Sequence, residues 1–129
     1  MAGETTGAVR WILRLEGICV LAAAIFFYPA PDFGWGCFAL FFLAPDLSLL
    51  GYAFGSRVGA VAYNAAHSYA GAIVCLVAGF LFASPVFSCA GVIWCTHIGF
   101  DRALGYGLKY PGDFNMTHLG RIGLQSDPR

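Results

Sequence analysis

The sequence predicts an all-α membrane protein: a transmembrane four-helix bundle with its N- and C-termini cytoplasmic. Three observations lead there. Of the 129 residues 59% are hydrophobic and only 11% charged, against about 25% charged in ordinary soluble domains. The mean hydropathy is +0.72; a single domain this short buries the smaller share of its surface, so lipid is the better solvent for it. Finally, Pro, Gly and Asp punctuation divides the chain into four apolar stretches, and all seven basic residues fall on one side of a four-crossing path.

The first stretch, residues 11–28, ends at Tyr28-Pro29-Ala30-Pro31-Asp32. Arg10 and Arg14 ahead of an apolar run resemble a signal peptide, but Glu16 interrupts the run and no A-x-A-like site follows, so a retained helix is expected. The second is expected over 33–52. Phe33 to Ala44 spans only 12 residues, short of the roughly 20 that cross a hydrocarbon core, so the segment must continue through Pro45 and Asp46. Pro45 breaks or kinks it, and Asp46 is held at membrane depth. The third is expected over 58–82, after Arg57, with a turn at Ala83-Ser84-Pro85; the fourth over 86–102. Residues 105–129, rich in Gly, Pro and polar side chains, read as an irregular cytoplasmic tail. Backbone groups cannot go unpaired in lipid, so each span should be helical.

Orientation follows from Arg10, Arg14, Arg57, Arg102, Lys109, Arg121 and Arg129. They lie before the first span, between the second and third, or after the fourth, and the positive-inside rule makes that side cytoplasmic. Tyr28 and Trp35 suit an outer aromatic belt and Trp11 an inner one. The expected location is the inner (plasma) membrane, multi-pass, with the bilayer as first partner. Net charge is zero, so no basic footprint points to nucleic acid. The five cysteines read as reduced apolar residues; Cys37 and Cys89 both fall near the outer face, and a disulfide between them stays open. Asn115-Met116-Thr117 matches a glycosylation sequon but on the cytoplasmic side, and is discounted.

Ionisable groups inside spans cost about 2.5–3.5 kcal/mol each at the helix centre and normally face the bundle interior. Glu16 lies a turn or two inside the first helix. His97 is roughly 8 Å from the cytoplasmic end of the fourth and His67 roughly 15 Å deep in the third. Asp101 ends the fourth beside Arg102. Glu16, Asp46, Asn64, His67, His97 and Asp101 thus come from four helices into one cytoplasmic half. Asn64 and His67 are spaced i,i+3 and His97 and Asp101 i,i+4, so each pair shares a face. Ala62, Ala66 and Ala70 form a small-residue strip opposite, suited to close packing or a homo-oligomer. The bland alternative is a polar clamp in which Glu16, Asp46 and Asp101 pair with Arg14, Arg57 and Arg102.

From Arg14 onward the chain resembles a bacterial family of small integral membrane proteins carried as a domain of unknown function. The resemblance rests on Arg14-Leu15-Glu16-Gly17, the stretch Phe42-Leu43-Ala44-Pro45-Asp46-Leu47-Ser48 with Gly51-Tyr52, and Ala62-Tyr63-Asn64 with His67 and Tyr69. The longest element runs from His97-Ile98-Gly99-Phe100-Asp101-Arg102 through Tyr110-Pro111, and His118-Leu119-Gly120-Arg121-Ile122-Gly123 closes it. It implies a four-helix membrane protein and brings no reaction, ligand or catalytic residue.

Three chemistries fit the polar set. One is a small membrane enzyme using acid–base chemistry on a lipophilic small molecule. His67 and His97 would be base or acid, with Asp101 orienting His97. Glu16 and Asp46 would serve as second acid or charge stabiliser, and Asn64, Tyr52, Arg102 and Tyr106 would bind the substrate. A second is a metal site of His67, His97, Glu16 and Asp101, or haem with His67 and His97 as axial ligands; no HExxH or ExxH pair marks one, and the sequence names no cofactor. A third is a proton or ion pathway, or a non-catalytic assembly partner. Tyr106 and His118 are candidates for a lid over the cytoplasmic mouth.

Overall fold

The structure, a computed structural model, describes residues 7–111 and 115–121. It is helical: α1 (Gly7–Phe27), α2 (Ala30–Phe42), a 3-10 helix (Ala44–Phe54), α3 (Ser56–His67), α4 (Tyr69–Leu81) and α5 (Pro85–Leu104). A two-residue antiparallel pairing, β1 (Met116–Thr117) with β2 (Gly120–Arg121), closes the described chain. Helix α5 is the axis of the molecule. It packs along α1 and α4 and more lightly against α2, while the 3-10 helix and α3 pack on each other as a hairpin.

Local chemistry sets the ends. Pro85 occupies the first turn of α5, where its missing N–H costs nothing, and Ser84 Oγ accepts from the Phe87 N–H at 3.4 Å. At the other end Gly105 adopts φ 89°, a left-handed conformation natural to glycine. The Tyr106 N–H then reaches back to the Asp101 carbonyl at 2.7 Å and the Gly105 N–H to Arg102 at 3.0 Å, the paired bonds of a Schellman ending.

The second apolar stretch is divided at Leu43, with Pro45 in the first turn of the 3-10 helix, as its proline demands. The third, expected to be one helix over 58–82, is instead broken at Ser68 (φ −91°, ψ 149°). Ser68 Oγ accepts the Ala70 N–H at 3.1 Å and caps α4. The carbonyls orphaned at the end of α3 are taken by α5: Trp94 Nε1 donates to Ala66 O at 2.5 Å and Arg102 Nη2 to His67 O at 2.9 Å. A helix end with such partners is stable where the sequence alone carries no breaker. The break also takes Ala70 out of phase with Ala62 and Ala66, so the expected small-residue strip is not continuous; Ala62 packs instead toward Gly51.

Polar side chains share the interior with apolar ones, and large apolar side chains lie on the outside. Among the described residues His67, Thr96, His97, Asp101, Arg102, Lys109 and Thr117 are buried, while Phe26, Phe54 and Phe80 are 81%, 81% and 83% exposed. Two helical runs, 30–54 and 56–81, are long and apolar enough to cross a membrane. The tail, expected to be irregular, is built in: Leu119 and Thr117 are fully buried, and Lys109 bridges Thr117. Residues 112–114 and 122–129 of that tail lie outside the described residues.

Candidate metal centre

The breaks at Leu43 and Ser68 bring Asp46 and His67, at the two ends of the hairpin, against His97 and Asp101 on α5. His67 Nε2 lies 3.1 Å from Asp46 Oδ1, 3.1 Å from His97 Nε2 and 3.4 Å from Asp101 Oδ2. His97 Nε2 lies 3.2 Å from Asp46 Oδ1 and 3.3 Å from Asp101 Oδ2. Four potential ligand atoms, one per side chain, sit within 4.8 Å of one another. The two imidazoles are 0% and 2% exposed; the Asp101 side chain is 12% and the Asp46 side chain 43% exposed, so one flank of the cluster is open.

The far nitrogen of each ring fixes what the near one offers. His67 Nδ1 is 2.9 Å from the Tyr63 carbonyl and His97 Nδ1 is 2.5 Å from the Phe42 carbonyl. A carbonyl only accepts, so both Nδ1 atoms carry the hydrogen and both Nε2 lone pairs face inward. Two lone pairs 3.1 Å apart, next to two carboxylate oxygens, repel unless a proton or a cation sits among them. Five of the six distances among these atoms are 3.1–3.4 Å and all six fall within 4.8 Å, close to the spacing that bonds of about 2.0–2.2 Å to one shared zinc require. Imidazole held by Nδ1–H to a backbone carbonyl is the usual outer support of a metal-bound histidine.

The surrounding contacts hold these rings still. Tyr63 stacks on His67 at 3.8 Å between centroids and 8° between planes. Lys109 Nζ stands 4.6 Å from the centroid of the same Tyr63 ring. Phe42 lies 5.1 Å from the His97 ring. Arg102, buried, donates to the Tyr106 carbonyl at 3.1 Å as well as to His67 O. The Asn64 side chain pairs with the backbone of Lys109 in both directions, at 2.8 Å and 2.6 Å, which lashes the tail to α3.

Of the residues singled out in the sequence, the structure gathers Asp46, His67, His97 and Asp101. Glu16 lies apart, exposed on α1 and lining a pocket with Tyr69, Arg102 and His118; Asp46 occupies the position that the metal reading assigned to Glu16. Asn64 and Arg102 engage backbone, Tyr106 supplies a carbonyl, and Tyr52 packs its ring on Gly59. Arg14 Nε donates to Ala103 O at 3.0 Å, so Arg14 and Arg102 reach backbone rather than forming the carboxylate clamp. The histidines, counted at different depths, meet because the chain bends at Ser68. Their 3.1 Å separation is too short for axial haem ligands, which stand on opposite sides of the iron, about 4 Å apart. Tyr63, Trp94 and the Phe42 carbonyl were not singled out as site groups; the one signal for Phe42 was Pro45, whose kink frees carbonyls just upstream.

His118 lies outside the apolar segments. Its Nδ1 accepts the Leu108 N–H at 2.8 Å, and burial, with the Arg102 charge second, pushes its pKa below the usual histidine value.

No curated protein and no solved structure matches the chain. One family model does, over residues 10–122, a stretch that carries all four converging side chains. The chain therefore belongs to the family described as Domain of unknown function (DUF4260).

Proposed function

We propose that this chain is a four-crossing membrane protein built around a mononuclear divalent-metal centre, with Asp46, His67, His97 and Asp101 as ligands. The observation that carries the reading is the pair of inward-facing Nε2 lone pairs, each fixed by an Nδ1–H donated to a carbonyl. Two carboxylates and two neutral imidazoles carry two negative charges, which a divalent ion neutralises. The donor set suits zinc, manganese or iron. The open flank at Asp46 leaves room for a further ligand, which is what distinguishes a reactive centre from a closed structural one. An ion held there by Asp46, His67, His97 and Asp101 would supply Lewis acidity toward a small lipophilic molecule arriving from the bilayer.

The membrane reading is supported by the exposed aromatic exterior and by the two runs able to cross. α1 and α5, of 21 and 20 residues, supply the other two crossings. With the basic residues inside, the metal centre lies in the cytoplasmic half of an inner-membrane protein.

Metal analysis of the full chain purified in detergent is the test. One equivalent of a transition metal is expected in the wild type, with nitrogen and oxygen neighbours near 2.0 Å by X-ray absorption, and none in His67→Ala or His97→Ala. A wild type that neither carries nor takes up zinc, manganese or iron would falsify the reading. It would leave the alternative that the same lone pairs favour: a proton shared between the two imidazoles, serving acid–base chemistry.

A further inference from the structure

At the end of α5 opposite the metal centre, the structure brings two thiols and a phenol together. Cys89, in the first turns of α5, is 4% exposed, and Tyr28, in the turn between α1 and α2, is 5% exposed. Cys37, on α2, is half-buried. Cys89 and Tyr28 belong to one buried cluster, and the Cys37 and Cys89 thiols are near enough to act electrostatically on each other and on the Tyr28 hydroxyl. Tyr28 donates its hydrogen to the Gly34 carbonyl at 2.7 Å, which fixes its ring in the turn beside α2. Both cysteines also line an apolar cavity of about 550 Å³ between α2 and α5, with Phe33, Val86, Ile93 and Trp94.

We propose that Cys37 and Cys89 are a redox pair that closes into a reversible disulfide by exchange with an exogenous disulfide. One thiol gives up its proton, and its sulfur attacks a sulfur of the exogenous disulfide, expelling a thiolate. The second cysteine, deprotonated in turn, attacks the mixed bond and expels the other thiolate. Two protein thiols are oxidised by two electrons in all, the exogenous disulfide is reduced to two thiols, and the two protons pass to the released sulfurs. The cysteines come from different helices, so the bond ties α2 to α5 across the wall of the cavity they both line. α2 is the helix packed more lightly on α5, so it is the one that such a tie changes most. Under the orientation proposed above this end faces away from the cytoplasm, the side on which disulfides persist; the thiol geometry itself does not depend on that orientation.

The experiment uses the full chain in detergent, incubated with oxidised glutathione, then denatured, alkylated with iodoacetamide and read by intact mass and peptide mapping. Three of the five cysteines are expected to be alkylated after oxidation and all five after reduction, with one linked peptide pair holding Cys37 and Cys89. Cys37→Ser and Cys89→Ser should each show four alkylated thiols whether oxidised or not, while the Cys75→Ser/Cys95→Ser double variant keeps the linkage. Five alkylated thiols in the oxidised wild type, glutathione adducts without a linked pair, or a link joining other cysteines each overturn the proposal. The linked-peptide result in the wild type decides the matter even if a serine variant fails to fold.

Discussion

His67 and His97 each use one nitrogen to settle what the other does, and the two carboxylates then differ in how far water can stand in for them. Asp101 is the less exposed and shares α5 with His97 at i,i+4, whereas Asp46 sits on the open flank. Asp101→Asn is therefore expected to weaken metal binding more than Asp46→Asn, where water completes the shell. Loss of a direct ligand should exceed the 10–100-fold typical of outer partners. Competition titration against a chromogenic chelator measures both, and equal losses would sink the distinction. Glu16 shows where residue-level reading stopped. Its neighbour Gly17 is pressed against Arg102 on α5, and one residue of helix is a rotation of about 100°, so Glu16 turns away from the centre. Depth could be counted from the sequence; that rotation could not. His118 gives a pH prediction of its own. The hydrogen bond from Leu108 needs neutral imidazole, and the folded pKa lies below the unfolded value of 6.5. Its stabilisation is present above pH 6.5 and lost as pH falls through the folded value. The protection factor of the Leu108 amide, corrected for intrinsic exchange, should drop over that window in the wild type and show no such step in His118→Ala.

Elements meet here where glycines let backbones touch. A Cβ on Gly99 would come within 2.8 Å of Leu21 N and 2.9 Å of Gly17 O, backbone that cannot step aside as a side chain could. Gly99→Ala must therefore push α1 off α5, an overpacking cost of about 1–3 kcal/mol. Gly36→Ala, with nothing within 4 Å of the added carbon, should leave the midpoint unchanged or slightly raised. Thermal unfolding in one detergent compares the two, and a Gly99→Ala protein as stable as wild type would remove the close contact from the account. At this scale the four apolar stretches and the interruption near Pro45 were legible, since proline announces itself. The break at Ser68 was not: apolar residues continue on both sides of it. What ends α3 is the pair Trp94 and Arg102, some thirty residues away, taking its last carbonyls. A helix end made by tertiary partners leaves no local mark in composition. The tail hairpin was missed for the same reason, because Asn64 and Tyr63 organise it from α3.

Across the whole molecule, the hairpin of residues 44–67 is joined to the remainder through few connections, and they cluster at one level. Among the described residues they include the four candidate ligands, the bonds from Trp94 and Arg102 to the end of α3, the Asn64–Lys109 pairing and Lys109 over the Tyr63 ring. α1 and α4 are held to α5 by separate contacts, Gly17 and Leu21 against Gly99 and Arg102, and Gly79 against Ser88. Metal binding should thus act as a clamp on one part of the fold rather than as a uniform stabiliser. A ligand bound by the native state alone adds about 2.7 kcal/mol when its free concentration is a hundred times its Kd. Where that free energy appears is set by which segments open without it. After removal of metal by a chelator, amide protection is expected to fall in residues 46–67 and 106–111 and to hold in residues 86–95, where α5 stays packed against α4. Restoring zinc should return it. Asp32→Asn, a carboxylate outside the cluster, should behave as wild type throughout. Loss of protection spread evenly over all helices would mean that the centre supports the entire bundle. No change at all would mean that the ligands are held by packing and that the ion contributes nothing to the fold. Only the segmental pattern is consistent with a hairpin hinged at Leu43 and Ser68 and fastened at Asp46 and His67.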